Sequence, residues 1–232
     1  MTLEIAPKSI PTQVATAPIR MDEITHTFSQ LSVNLFAMLR ERGRNNADMR
    51  PLTVSVTSAQ RREGKTLIAQ GLALHAAALG QFRILLVDSN FDAPMLASRF
   101  FGDGKSGLSD VLQDGDTAAA EFLATPFDNM FVIGAGRVPR PALLYREEAL
   151  QKFTDSAGAR DFDVIIFDGS CVSPNRANVV ARKADRVLFV VDSTTTRRET
   201  VQYALGRLKD GVRDPVWGVI LNKKPRYVRG SL

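Results

Sequence analysis

Strand and helix alternate along most of this chain, and that alternation constrains its fold more than any other feature. Runs rich in β-forming residues occur at Leu52–Thr57, Arg83–Asp88, Met130–Gly134, Asp163–Asp168, Arg186–Asp192 and Val216–Asn222. Helical segments at Lys65–Leu79, Pro141–Thr154, Asn175–Ala184 and Arg197–Lys209 lie between most of them. A helical crossover returns the chain to the start of the next strand, so the strands run parallel, and a parallel sheet needs both faces covered. The unbroken apolar runs VIIF at 164–167 and VLFVV at 187–191 fit strands with no solvent face. The pattern predicts a three-layer α/β/α domain around a mostly parallel sheet. Ahead of it, Ile24, Phe28, Leu31, Leu35 and Leu39 recur at steps of three or four, which marks a helix ending near Gly43 with one apolar stripe to dock.

With 232 residues the chain has room for one such domain and two tails. The reading is a disordered lead over 1–20, rich in Pro, Thr and Ala, a domain over 21–222, and a basic tail over 223–232. Lys223, Lys224, Arg226 and Arg229 supply most of the +5 net charge, so the body is close to neutral and offers no nucleic-acid face. Cys171 stands alone, which excludes an internal disulfide, favours a reducing compartment and reads as a small buried hydrophobe. The first twenty residues carry Glu4 and three prolines where a secretory signal needs a basic start and an apolar run. The longest uncharged stretch, Thr66–Phe82, contains Gln70 and His75 and reads as a buried helix, so no membrane segment is expected.

In open parallel sheets ligands sit beyond the carboxyl ends of the strands. The first strand runs into Ser58, Ala59, Gln60, Arg61, Arg62, Glu63, Gly64, Lys65 and Thr66, and a helix follows at once. This is a Walker A loop with Ala59 in place of its first glycine, which makes the expected fold that of the P-loop NTPases. Such a loop turns backbone N–H groups inward at a helix N-terminus to hold phosphate oxygens, with a lysine for the terminal phosphates and a hydroxyl for Mg²⁺. Ala59 to Thr66 are accordingly the candidate nucleotide-binding residues. Two further strands, ILLVD at 84–88 and VIIFD at 164–168, end on aspartates that can hold Mg²⁺ or take a proton from an attacking hydroxyl.

The loop, LLVDSNFDAP at 85–94, GLSDVL at 107–112 and DVIIFDGS at 163–170, taken in this order, resemble the bacterial tyrosine kinases of capsule and exopolysaccharide synthesis. These are P-loop proteins related to the septum-site and partition ATPases. The resemblance runs from about residue 26 to Asn222. It implies ATP or ADP with Mg²⁺ as cofactors and Lys65, Asp88 and Asp168 as catalytic residues. It places Thr66, Asp88, Asn90 and Asp168 around the metal and Asn222 by the adenine. It also implies a cytoplasmic protein held at the inner membrane by the cytoplasmic tail of a polysaccharide co-polymerase.

The chain departs from the family pattern in several places. Arg61-Arg62 stand where Pro-Gly is usual, and Asn90 replaces the second acid of the D-x-D motif, leaving Asp88 or Asp168 to receive a proton. His26, Ser29 and Ser32 occupy the positions of the helical E-x-x-R-x-x-R motif used for ring formation, so that contact is expected to be lost, although other self-association stays open. The terminal tyrosine cluster is reduced to Tyr227, the candidate phosphoacceptor. Two functions follow: a tyrosine autokinase regulating polysaccharide polymerisation and export, or a degenerate nucleotide-sensing or scaffolding subunit of the same complex. A positioning ATPase is disfavoured because its hallmark loop lysine is Gln60 here.

Overall fold

The computed structural model describes residues 21–44, 50–96, 106–114, 121–137, 146–172, 178–209 and 215–223. In chain order the elements are α1 Met21–Arg44, β1 Leu52–Ser58, α2 Lys65–Ala78, β2 Ile84–Ser89, α3 Leu108–Asp114, β3 Leu123–Ala124, β4 Met130–Ile133, α4 Glu147–Asp155, α5 Ala157–Arg160, β5 Val164–Gly169, α6 Val179–Lys183, β6 Arg186–Asp192, α7 Arg198–Leu208 and β7 Val216–Asn222. The strands form one seven-stranded sheet in the order β3-β4-β2-β5-β1-β6-β7. Every neighbouring pair is parallel except β3 with β4, so the expected mostly parallel α/β fold is what forms.

The six expected strands are present, and β3 is a seventh. Two residues are too few to show a period, which is why Leu123–Ala124 left no mark in the sequence pattern. The GLSDVL segment supplies α3, a helix the alternation did not predict. The lead over 1–20, Asn45 and Asn46, Tyr145, Tyr227, the tail beyond Lys223 and the beginnings of the helices expected from Pro141 and Asn175 lie outside the described residues.

Each face of the sheet has its own core. On one face Val54 and Val56, Ile84 and Leu86, Val164 and Ile166, Leu188 and Val190 pack against Ile68, Ala69, Leu72, Ala73 and Ala76 of α2. Alanine-rich α2 is buried between the sheet and α1, and its small side chains let both approach closely. Phe28 of α1 lies directly over Gly71, where a Cβ would overlap the phenyl ring, and Phe36 of α1 meets Phe82 at 4.9 Å between ring centroids. The apolar stripe of α1 thus docks on α2. On the other face Leu85, Val87, Ile165 and Phe167 pack with α3, α4 and α6, while Val187, Phe189 and Val191 pack with α7.

The register decides where the polar residues fall. Asp88 of β2 stands beside Asp168 of β5, which stands beside Val56 of β1; Ser58 pairs with Val190, and Asp192 with Asn222. Laterally paired residues of parallel strands share a face, and Val56 and Val190 belong to the α2 face. Asp88, Asp168, Ser58, Asp192 and Asn222 therefore line the carboxyl edge of the sheet on the side where α2 begins.

Candidate functional site

The loop between β1 and α2 is set by two left-handed residues. Gly64, the N-cap of α2, has φ 100°, and Arg62, where the resembling family usually has glycine, has φ 63°. A non-glycine residue in that region costs about 1 kcal/mol, so other contacts must hold it there. No side chain caps α2, which leaves its first amides available to an anion.

Lys65 is only 6% exposed, and its Nζ donates to Ser58 Oγ at 2.9 Å and to the Gln60 carbonyl at 3.4 Å. Burial pulls its pKa below the usual lysine value, and the nearby Cys171, Asp168 and Glu63 oppose that pull. Cys171 is half-buried at the end of β5, not the buried hydrophobe expected, because Ser170–Val172 cross over the end of β1, where Val172 N–H donates to Ser58 O at 2.8 Å. Thr66, half-buried, follows Lys65 in the first turn of α2.

Glu63 turns inward. At 2% exposure its carboxylate accepts from Gln60 N–H at 2.6 Å, from Asp192 N–H at 3.1 Å and from the Thr196 hydroxyl. It ties the loop to the end of β6, so among the expected nucleotide-binding residues its side chain has a structural task. The end of β7 grips the same loop from outside. Asn222 Nδ2 donates to the Glu63 carbonyl at 2.8 Å, and Lys223 Nζ donates to the Arg62 carbonyl at 3.0 Å and to Asp192 Oδ2 at 2.7 Å. A Cβ on Gly64 would overlap Asn222 Nδ2. Lys223 and Thr194 hold the Asp192 carboxyl well below the usual carboxylate range.

The two expected catalytic aspartates are neighbours with different surroundings. Asp88 is fully buried; its Oδ2 accepts from Met95 and Leu96 N–H at 2.8 and 2.9 Å, and its Oδ1 from Asn90 N–H at 3.1 Å. Burial pushes its pKa up and these amides pull against that rise. Asn90 Nδ2 donates to Ala93 O at 3.0 Å, so Asp88 and Asn90 together shape the 90–96 turn. Asp168, also fully buried, lies close enough to Lys65 to influence it, and its carbonyl accepts from Ser89 Oγ at 3.0 Å. Arg61 reaches out to Asp92 at 4.0 Å across the mouth of the site.

The structure thus brings Ala59 to Thr66, Asp168, Asp88, Asn90 and Asn222 to one edge. Its donors suit a phosphate bearing Mg²⁺: backbone amides and an ammonium for the anion, and a hydroxyl with carboxylates, all oxygen, for a hard cation that takes its remaining ligands from phosphate and water. Among the described residues no group of three or more His, Cys, Asp or Glu is placed to hold a metal by itself.

Sequence reasoning missed Asp192, Thr196 and Lys223. Asp192 had the same signal as Asp88 and Asp168, an apolar strand running into an acid, whereas nothing local marks Lys223 apart from its tail neighbours. Ser29 and Ser32, at the positions of the ring-forming motif, face α2: Ser29 Oγ lies 3.2 Å from His75 Nε2 and Ser32 is fully buried.

No family model matches the chain. It is 27% identical over 181 residues to the tyrosine-protein kinase YwqD of Bacillus subtilis, covering 77% of this chain and 75% of that protein. The kinase domain of the Escherichia coli tyrosine kinase ETK matches it with a TM-score of 0.69 at 22% identity, over 98% of this chain and 85% of that one. A cobyrinic acid a,c-diamide synthase from Mycobacterium smegmatis, solved with ADP and magnesium, shares the fold at a TM-score of 0.51 and 20% identity, over 73% of this chain and 72% of that one.

Proposed function

We infer that this chain, a divergent relative of the bacterial tyrosine kinases, binds ATP and ADP with Mg²⁺ in the loop from Ala59 to Thr66 and works as a tyrosine-kinase-like protein of polysaccharide export. The observation that carries this is the strand register, which places Asp88 and Asp168 side by side on the face where Lys65 and Thr66 begin α2. The loop amides bind the phosphates and orient the terminal one. Lys65 exchanges its contacts with Ser58 and Gln60 for phosphate oxygens and stabilises charge that develops on the transferred group. Thr66 and Asp168 would hold a Mg²⁺, which would supply neutralisation of phosphate charge. As the acceptor tyrosine oxygen bonds to phosphorus and the bond to the ADP oxygen breaks, the phenolic proton passes to Asp168, because Asp88 is engaged with three backbone amides.

That engagement also favours a second reading. An Asp88 that organises the 90–96 turn and an amide at Asn90 leave a single carboxylate for metal and proton, which suits a nucleotide-sensing or scaffolding subunit with little phosphotransfer. No helix among the described residues is long and apolar enough to cross a membrane. In either reading the chain works in the cytoplasm and reaches the inner membrane through the cytoplasmic tail of a polysaccharide co-polymerase, with Tyr227 as the candidate acceptor in the kinase case.

Calorimetric titration with ATP·Mg and ADP·Mg, run beside an anti-phosphotyrosine blot of wild type and Lys65→Ala, tests both. Binding and phosphotyrosine that both disappear in the variant support the kinase. Binding with no phosphotyrosine in wild type leaves the nucleotide-sensing subunit, and absence of binding removes the kinase and the sensor and leaves the scaffold.

A further inference from the structure

Two consecutive carbonyls of the Walker loop, those of Arg62 and Glu63, are taken by the last two described residues of the chain. Lys223 Nζ donates to the first at 3.0 Å and Asn222 Nδ2 to the second at 2.8 Å. A peptide unit is planar, and in the trans form the N–H of the following residue points opposite to the carbonyl. Pulling these two carbonyls toward the end of β7 therefore turns the N–H groups of Glu63 and Gly64 the other way, away from β7, in a stretch flanked by the left-handed residues Arg62 and Gly64. Successive N–H groups of this kind are what an anion-binding nest consists of.

Lys223 is fixed for this task from both sides. Asp192 Oδ2 accepts from the same Nζ at 2.7 Å, Asp192 N–H donates to Glu63 Oε1 at 3.1 Å, and Glu63 Oε2 accepts from Gln60 N–H at 2.6 Å, which closes a ring from β7 through β6 back to the loop. Lys223 itself has φ 55°, a left-handed conformation held by its Nζ contacts to Arg62 and Asp192 and by its N–H, which donates to Asn222 Oδ1 at 2.9 Å.

We propose that Lys223 is a positioning residue for phosphate binding: braced on Asp192, it holds the Arg62 peptide in the orientation that a glycine-rich loop adopts unaided. This rests on the nucleotide-binding reading and adds to it the element that sets the loop's shape. The brace supplies from β7 the conformational bias that Arg61-Arg62 remove from the loop.

The test uses the full chain as wild type, Lys223→Met, Lys223→Arg and Asp192→Asn, with ADP·Mg titrated calorimetrically and amide hydrogen exchange followed over residues 60–66 without nucleotide. Lys223→Met is expected to weaken ADP·Mg by about ten-fold, the scale of one charged hydrogen bond, and to speed exchange of the Glu63 and Gly64 amides. Lys223→Arg, which keeps charge and donors, restores both to within about three-fold of wild type, and Asp192→Asn gives an intermediate loss. A Lys223→Met protein with wild-type exchange in the loop overturns the proposal whatever its affinity, and so does one whose ADP·Mg affinity is unchanged. A wild type that does not bind ADP·Mg, while Lys223→Met still loosens the loop, sinks the nucleotide reading and leaves the brace standing.

Discussion

The two ends of β6 carry the same kind of pair and use it differently. Asp185, just before the strand, accepts two hydrogen bonds from Arg50, at 2.8 and 3.0 Å, and two more from Thr53 N–H and Oγ1, both at 2.9 Å. Burial pushes the Asp185 pKa up, but Arg50 and Thr53 outweigh it and the net shift is downward. All four donors belong to the scaffold, three of them on Oδ2 and one on Oδ1, and the cluster locks the start of β1 to the start of β6. Asp192, at the other end, holds a lysine whose Nζ also donates to a carbonyl of the loop after β1. At the amino edge of the sheet the buried charge joins strand to strand, and at the carboxyl edge it shapes the loop between β1 and α2.

Lys65 separates the two edges most sharply. Lys65→Met removes an ammonium whose burial is unfavourable, so the melting temperature is expected to stay within about 3 °C of wild type or rise, while ADP·Mg affinity falls at least about 100-fold. A binding loss accompanied by a large loss of stability contradicts the division of labour. The converse experiment is Asp185→Ala, which leaves Arg50 without its carboxylate and Thr53 N–H without an acceptor. Denaturant unfolding should report a loss of about 2–4 kcal/mol, less than for a wholly buried pair because Arg50 is partly exposed, with nucleotide affinity within about two-fold of wild type.

A smaller effect is expected between the two edges. Gly71→Ala puts a methyl group into the Phe28 ring and should cost about 1–3 kcal/mol by lifting α1 from α2, again without changing affinity. The smallest is a pH dependence. A carboxyl whose folded pKa is lowered contributes stability that is present above its unfolded value of about 4 and is lost as the pH falls through the folded value. Wild type should therefore weaken below about pH 4, and Asp185→Asn, less stable at neutral pH, should show a shallower acid limb in equilibrium denaturation. An equally steep limb in the variant assigns acid sensitivity to other carboxylates.

Much of this was legible in the residues. The runs ending at Asp88, Asp168 and Asp192 were readable as parallel strands because burial on both faces leaves an apolar run, and the loop was readable because Gly64, Lys65 and Thr66 stand between a β-rich run and a helix. The E-x-x-R-x-x-R positions showed in sequence only as absent charges, and the structure adds that Ser29 is half-buried against His75 of α2 and Ser32 is fully buried. Other roles were hidden. Asp88 read as a catalytic acid, yet its partners Met95 and Leu96 come from a turn that no period marks. Glu63 read as one of the loop residues that would hold a nucleotide through backbone N–H groups; that its carboxylate is directed to Asp192 and Thr196 no local pattern marks.

The sequence by itself determined the strand-and-helix alternation, the loop that follows β1 and the acids at the strand ends, since each is written in residues within a few positions of one another. The tertiary structure alone decided which of those groups remain available for chemistry. Glu63 meets Asp192 across 129 positions and Asn222 across 159, contacts that exist only because the sheet order sets β1 beside β6 and β6 beside β7. Hydrogen-bond partners follow from that lateral order, and a one-dimensional pattern of apolar and polar residues carries no record of it.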